Sequence, residues 1–177
     1  MIRIISGTAK GRRLQAPKNL PVRPTTDRAK EALFNILQNQ FDFEECSALD
    51  LFSGTGNISY EFASRGIAHT VAVEQHKKCI HFIEKTREML AFPISVVQQE
   101  VLRFLDLSQG TYTIIFADPP YQWEKKTYEV LIQKAINHLE PEGHFILEHE
   151  KNISFETHSQ RIDARSYGNN VFSFFMK

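Results

Sequence analysis

The chain has 177 residues, of which 42% are hydrophobic, and its 21 Lys and Arg balance its 21 Asp and Glu. This length supports one domain with a substantial core, and no apolar stretch approaches the roughly 18 residues that a membrane-spanning helix needs. The only two cysteines, Cys46 and Cys79, have no CxxC or metal-site spacing. These features argue against a membrane protein, a zinc protein and a disulfide-rich secreted protein, and we expect a cytoplasmic location.

The charge is distributed unevenly along the chain. Residues 1–30 hold eight Lys and Arg against one acid, Asp27, a local charge of +7, so the remaining 147 residues carry −7. Clustered basic side chains favour an anionic partner because they displace counterions from a phosphate backbone. A solvated tail is the alternative, but the basic residues alternate with Gly, Pro and apolar residues. We therefore predict a basic arm, residues 1–25, on a domain formed by residues 26–177.

The arm predicts a short hairpin followed by an extended segment. Residues 1–10 alternate apolar and polar side chains, whereas residues 14–24 hold three of the seven prolines. The threonines at positions 25 and 26 can then cap a helix with apolar residues at helical spacing. We expect that helix to lie against the domain and to present Arg28 and Lys30 outward.

From position 47 the pattern alternates between strands and helices. Apolar, β-branched runs predict strands at 48–52, 70–73, 95–97, 113–117 and 145–147 and a closing antiparallel hairpin at 160–167 and 171–176. Helices are predicted after the turn that ends at Gly56, through Arg65, and at 76–90, 100–107 and 128–139, the last closed by Pro141 and Gly143. This alternation predicts a doubly wound, mostly parallel, seven-stranded α/β sheet of the Rossmann-like type.

The most informative stretch is the turn Asp118-Pro119-Pro120-Tyr121, which follows the apolar run 113–116. Ligands in open α/β sheets bind beyond the carboxyl ends of such strands, where Asp118 would be the first polar group. Two prolines stiffen the loop and leave carbonyl acceptors, and Tyr121 offers a flat face. A carboxylate, a rigid carbonyl and a stacking ring suit a planar heterocycle with an exocyclic amine. An ordinary proline turn is the alternative.

A second turn, Gly54-Thr55-Gly56, lies between a strand and a helix and would let a nucleotide-like ligand approach the backbone. A pyrophosphate is disfavoured because Ser59 replaces the third glycine of the dinucleotide fingerprint.

Three acids near the carboxyl ends of the predicted strands indicate a different ligand. Asp50 suits an ammonium group, Glu74 a ribose diol and Glu100 an adenine edge. An ammonium, a ribose and an adenine without phosphate describe S-adenosylmethionine.

Together these motifs resemble those of class I methyltransferases that modify exocyclic amines. The N-terminal part is more specific, because it resembles the RsmD family of bacterial ribosomal RNA guanine-N2 methyltransferases. That resemblance rests on Arg3-Ile-Ile-Ser-Gly7, Gly11-Arg-Arg-Leu14, Arg23-Pro-Thr-Thr-Asp-Arg28 and Glu31-Ala-Leu-Phe-Asn-Ile-Leu37, and extends to Tyr167-Gly168 and Phe174-Phe175. It implies methylation of one guanine in small-subunit ribosomal RNA, on assembled or partly assembled particles.

The resemblance also assigns roles to residues. The catalytic turn would be Asp118, Pro119, Pro120 and Tyr121, the cofactor contacts Asp50, Phe52, Gly54, Gly56, Glu74 and Glu100, and the RNA contacts Arg3, Lys10, Arg12, Arg13, Arg23, Thr26 and Arg28. Asp118 and the Pro119 carbonyl would hold the amine and turn its lone pair toward the sulfonium methyl group. No metal is needed, since the leaving thioether is neutral.

Two other function classes remain open. The same turn serves methyltransferases that act on adenine in DNA or on protein amides, and the basic arm argues only against the protein substrate. A non-catalytic RNA-binding protein that retained the fold would bind RNA without cofactor.

Overall fold

The described residues, 1–17, 20 and 25–177 of a computed structural model, form two sheets. The smaller sheet is a hairpin of β1 (Ile2–Arg3) and β2 (Arg13–Leu14), which pair antiparallel. A hairpin is therefore present as predicted, but it extends beyond residues 1–10 to Leu14, and each strand is only two residues long. The expected RNA contact Arg23 lies outside the described residues.

The larger sheet has seven strands. They are β3 (Ser47–Leu51), β4 (His69–Glu74), β5 (Ile94–Gln98), β6 (Tyr112–Ala117), β7 (Leu139–Glu150), β8 (Arg161–Tyr167) and β9 (Asn170–Phe175). Their order is β5-β4-β3-β6-β7-β9-β8. The first five in that order run parallel, and β9 is antiparallel to both β7 and β8. The predicted mostly parallel, doubly wound sheet is confirmed.

Five helices cover the two faces of this sheet. They are α1 (Asp27–Gln38), α2 (Asn57–Ser64), α3 (Lys77–Leu90), α4 (Val101–Leu107) and α5 (Lys125–Asn137). One face packs on α1, α2 and α3, while the alternate residues of the same strands pack on α4 and α5. Within the described parts of the chain, no helix is long and apolar enough to cross a bilayer.

Helix α1 begins as predicted, because the Thr26 side chain accepts a hydrogen bond from the Ala29 amide at 3.3 Å. The expectation that Lys30 points outward is wrong, since its side chain is fully buried. Its ammonium donates to the Arg3 carbonyl at 2.7 Å and lies 3.3 Å from Glu61. Buried carbonyl and carboxylate acceptors thus replace the water that an exposed lysine would have.

The predicted helix closure at Pro141 and Gly143 is also wrong. Helix α5 ends at Asn137, and both residues lie within β7, which begins at Leu139. A Cβ at Gly143 would come 2.7 Å from the Thr113 carbonyl oxygen. This glycine therefore marks a close approach of β6 and β7, where their register shifts, and does not end the helix.

The N-terminal hairpin is anchored to α2 by one carboxylate. Glu61 accepts hydrogen bonds from the Ile5 and Ser6 amides at 2.9 and 3.1 Å, and from the Arg65 guanidinium at 2.8 Å. Gly7 adopts a φ of 81° where a Cβ would overlap the Ser64 carbonyl. The hairpin therefore packs closely on the domain; the boundary at residue 25 stays a prediction.

Candidate active site

A cleft of about 620 Å³ opens beyond the carboxyl ends of β3, β4 and β6. β3 and β6 are adjacent strands, and the order of the strands along the chain runs outward from them in opposite directions. In doubly wound sheets, ligands usually bind at this position, beyond the carboxyl ends of the strands. The cleft brings together predicted residues of both groups, namely Asp50, Phe52, Gly54, Glu74, Asp118, Pro119, Pro120 and Tyr121.

The turn after β3 is shaped by unusual backbone angles. Phe52 has a φ of 61° and Gly56 a φ of 81°, both in the left-handed region. A Cβ at Gly56 would lie 2.7 Å from the Tyr60 ring, so this position has room only for glycine. Gly54 lines the cleft, whereas Gly56 caps the start of α2 behind it.

Asp50 is buried at the end of β3 and is held by the first turn of α2. Its Oδ2 accepts from the Ser59 amide at 3.0 Å and from the Ser59 hydroxyl at 2.5 Å. Burial raises the pKa of Asp50 to about 7, the Ser59 hydrogen bonds oppose this rise, and the charge of Glu74 adds to it. Ser59, noticed in the sequence only as a missing glycine, is thus the partner of this carboxylate.

Glu74 closes β4 and accepts three backbone hydrogen bonds. Its Oε2 accepts from the Gly54 amide at 2.8 Å, and its Oε1 accepts from the amides of Gln75 and His76 at 2.8 and 2.7 Å. These bonds tie the glycine turn to the end of β4 and fix the position of the carboxylate. A ribose hydroxyl can add to such an acceptor without moving it.

Glu100 has a different position from the other predicted acids. Its side chain caps α4, accepting from the Leu102 and Arg103 amides at 3.0 and 2.9 Å. The cleft lining does not include it. Its predicted contact with an adenine edge stays a prediction, and the capping bonds explain its place in the sequence without a ligand.

The Asp118 turn is braced from behind by aromatic side chains. The Pro120 carbonyl accepts from the Trp123 amide at 3.2 Å and from the Tyr128 hydroxyl at 3.5 Å. The Trp123 ring packs edge-on against Phe52, with ring centroids 5.3 Å apart. Trp123 therefore joins the two turns that form the cleft, as a half-buried packing residue.

Three further polar residues of the site were missed from the sequence. Thr25 and Asn57 line the cleft, and the buried Glu148 accepts from the Thr25 hydroxyl at 3.0 Å. Glu148 is the polar neighbour of Asp118 on β7. In the sequence it was visible only as an acid near the end of a predicted strand.

The predicted RNA contacts of the arm are on the surface. The described members of this set, Arg3, Lys10, Arg12, Arg13, Thr26 and Arg28, are all exposed. Arg3 pairs with Asp27 at 2.8 Å, which places one arm residue against the start of α1. No three His, Cys, Asp or Glu side chains within the described ranges are grouped as a metal ion would require, and Cys46 and Cys79 are free and buried.

Comparison with known proteins identifies relatives along nearly the whole chain. A family model described as Conserved hypothetical protein 95 matches residues 2–176. Ribosomal RNA small subunit methyltransferase D of Buchnera aphidicola subsp. Acyrthosiphon pisum is 35% identical over 78% of this chain and 70% of its own length. The protein of the same name from Escherichia coli K12 is 34% identical over 80% of this chain and 68% of its own.

Solved structures share the fold. A hypothetical protein of Thermus thermophilus, TTHA0928, superposes with a TM-score of 0.87 at 25% identity, over 100% of both chains. The T. thermophilus 16S rRNA N2 methyltransferase RsmC, solved in complex with AdoMet and guanosine, superposes with a TM-score of 0.71 at 20% identity, over 86% of this chain and 44% of its own. The match of the family model and the identity to these relatives confirm the resemblance seen in the motifs: the chain belongs to the family of ribosomal RNA small subunit methyltransferase D.

Proposed function

We propose that this protein transfers a methyl group from S-adenosylmethionine to the exocyclic N2 amine of a guanine in small-subunit ribosomal RNA. The observation that carries the proposal is the cleft itself, where the Asp118 turn faces the same space as Asp50 and Glu74. One side of the cleft has acceptors for an amine, and the other has carboxylates for a cationic nucleoside. The names of the relatives support ribosomal RNA as the substrate.

The cleft fits this cofactor in volume and in charge. Its volume of about 620 Å³ lies within the usual range for small-molecule sites. S-adenosylmethionine carries an ammonium and a sulfonium, and the two buried carboxylates, Asp50 and Glu74, offset positive charge there. The turn around Gly54 lets a ligand approach the backbone closely, as a nucleoside requires.

When bound, the cofactor supplies an electrophilic methyl group on sulfur. The exocyclic amine of guanine is a poor nucleophile because its lone pair is shared with the ring. Asp118 and the Pro119 carbonyl accept the two amine N–H groups and turn the nitrogen lone pair toward the methyl carbon. During transfer of the methyl group, both acceptors would stabilise the positive charge that develops on the amine nitrogen, and Asp118 would accept the amine proton that leaves.

The target base must leave its stack to reach this turn. Stacking on the half-buried Tyr121 ring returns about 1 to 3 kcal/mol of that cost. The exposed basic residues of the arm would hold the RNA backbone beside the cleft. A ribosomal substrate, on assembled or partly assembled small subunits, also agrees with the cytoplasmic location expected from the two free cysteines.

The first test is transfer of a labelled methyl group to small-subunit particles from a strain that lacks this protein, followed by nucleoside analysis. We expect labelled N2-methylguanosine. Asp118→Asn should lower kcat by about 100-fold or more while cofactor affinity stays within about twofold. Asp106→Asn, an exposed acid on α4, is the matched control and should keep full activity.

Three results would contradict the proposal in different ways. Transfer to adenine in duplex DNA without transfer to the particles would assign the site to another amine. RNA binding without cofactor binding would assign the chain to the non-catalytic class. Retained turnover by the Asp118→Asn variant would exclude the role given to that carboxylate.

A further inference from the structure

A second acceptor lies beside the Asp118 turn. Thr25 directly precedes the N-cap of α1, is 9% exposed and lines the cleft. Its partner Glu148 is 1% exposed and lies on β7, level with Asp118, because Leu147 pairs with Ala117. Ile146 packs in the core beneath α1 and α2, and Glu148, two residues further along the strand, points to the same face.

The direction of the hydrogen bond between these residues determines what Thr25 can offer a ligand. The Thr25 hydroxyl donates to Glu148 Oε2 at 3.0 Å, and the Asn170 amide donates to Glu148 Oε1 at 2.5 Å. A hydroxyl has a single proton to donate. With that proton directed to Glu148, the Thr25 oxygen has only lone pairs left for a group in the cleft.

The backbone of Thr25 is held as firmly as its side chain. Its carbonyl accepts from Asn57 Nδ2 at 3.2 Å. The other end of that amide, Asn57 Oδ1, accepts from the Lys30 ammonium at 2.8 Å, and an ammonium can only donate. The orientation of Asn57 is therefore fixed, and Thr25 is an acceptor placed in advance in the wall of the cleft.

Such an acceptor distinguishes guanine from the other bases that carry an amine. In guanine the amine-bearing carbon is next to N1–H, a donor, whereas in adenine and cytosine the neighbouring ring nitrogen is an acceptor. Flipped bases are read by hydrogen bonds to this edge. We propose, on the basis of the proposed function, that the Thr25 hydroxyl accepts N1–H of the target guanine, and that Glu148 is the positioning residue that keeps Thr25 an acceptor.

The test compares guanine with 2-aminopurine, which keeps the C2 amine but lacks the N1 proton. Small-subunit particles are reconstituted with either base at the nucleotide that takes the label. Wild type should show a kcat/KM about tenfold or more higher for guanine. Thr25→Val should lose about tenfold on guanine and remain within about twofold on 2-aminopurine. Thr25→Ser, which keeps the hydroxyl, should retain the preference.

The matched control is Thr70→Val, which removes a buried hydroxyl that has no hydrogen-bond partner among the described residues and lies on β4 outside the cleft lining. It should behave as wild type, and cofactor affinity should be equal in all variants. Equal losses on both bases for Thr25→Val would overturn the proposal, as would equal use of both bases by wild type, a measurement that needs no variant. Absence of transfer to guanine by wild type would instead contradict the proposed function.

Discussion

Two carboxylates of the cleft have contrasting surroundings. Glu74 accepts three backbone amides, whereas Asp50 is 1% exposed and depends on Ser59 for both of its hydrogen bonds at Oδ2. Burial is therefore the largest influence on the pKa of Asp50, which it raises to about 7. A bound cation in the cleft would favour the ionised form of this carboxyl.

The raised pKa predicts how stability depends on pH. Between about pH 4 and pH 7 the folded chain keeps a proton on Asp50 that the unfolded chain has lost, so folding takes up a proton. The stability from this site is present below the unfolded pKa and is lost as pH rises toward 7. We expect the free energy of unfolding of wild type, relative to Asp50→Asn, to fall by on the order of 1 kcal/mol per pH unit in this range.

Urea unfolding of both proteins at intervals between pH 4 and pH 8, without cofactor, measures this difference. The two curves should converge in slope above pH 7. Curves that stay parallel over the whole range would show that Asp50 has an ordinary pKa in the folded chain.

At the scale of elements, the hairpin, α1 and α2 are joined through one buried ion cluster. Glu61 contacts Lys30 and Arg65, and it also accepts the two hairpin amides. Burial lowers the pKa of Lys30, and the charge of Glu61 opposes that shift. The carboxylate thus favours the charged form of the ammonium, against the effect of its burial.

Removing this carboxylate should destabilise the whole chain. Glu61→Ala leaves the Lys30 ammonium buried without its counterion, and we expect a loss of about 3 to 5 kcal/mol in the free energy of unfolding. Urea denaturation measures the loss. Glu31→Ala, an exposed acid on α1, is the matched control and should change stability by less than about 0.5 kcal/mol. A similar small change for Glu61→Ala would mean that the cluster contributes little to folding.

The sequence predicted the positions of the helices and strands well, but it predicted the partners of buried polar side chains poorly. Periodicity located all the strands and helices of the main sheet, because burial on one or two faces leaves a regular apolar pattern. Lys30 was misplaced because its acceptors, the Arg3 carbonyl and Glu61, come from segments that no local pattern connects to it. The role of Gly143 was predicted wrongly, because glycine is favoured both where two strands approach closely and where a helix ends.

The site shows the same division. Residues at the end of a strand or directly after it, such as Glu74 and the Asp118 turn, were predictable, because strand ends in a parallel sheet meet at one edge. Thr25 and Glu148 are separated by 123 positions, and a threonine beside a helix start has an ordinary explanation as a cap. Only the assembled sheet shows that the two side chains meet.

At the scale of the whole molecule, the exposed basic residues of the hairpin lie on one side of the main sheet. The hairpin packs on the α2 and α3 side of the sheet, so the basic residues Arg12 and Arg13 lie on that side, while Arg103 on α4 lies on the opposite one. The two arginines proposed as RNA contacts therefore lie together on one side of the sheet.

Salt dependence of RNA binding tests this arrangement. Replacing Arg12 and Arg13 together with alanine should weaken binding to small-subunit RNA and reduce the slope of log K against log salt by about 1.5. Arg103→Ala should leave both quantities unchanged. An unchanged slope in the double variant would exclude these two residues as phosphate contacts.

Thr25 and Glu148 are in contact but lie far apart in the chain, so the two walls of the cleft are completed at different times during translation. The strands that carry Asp50 and Glu74, β3 and β4, precede Glu148 in the chain and are translated before it. The wall that would face the target base lacks Glu148 until β7 has been made, and Asn170 follows on β9. During translation the carboxylates proposed to hold the cofactor are therefore made before Glu148, the residue proposed to orient Thr25 toward the target base.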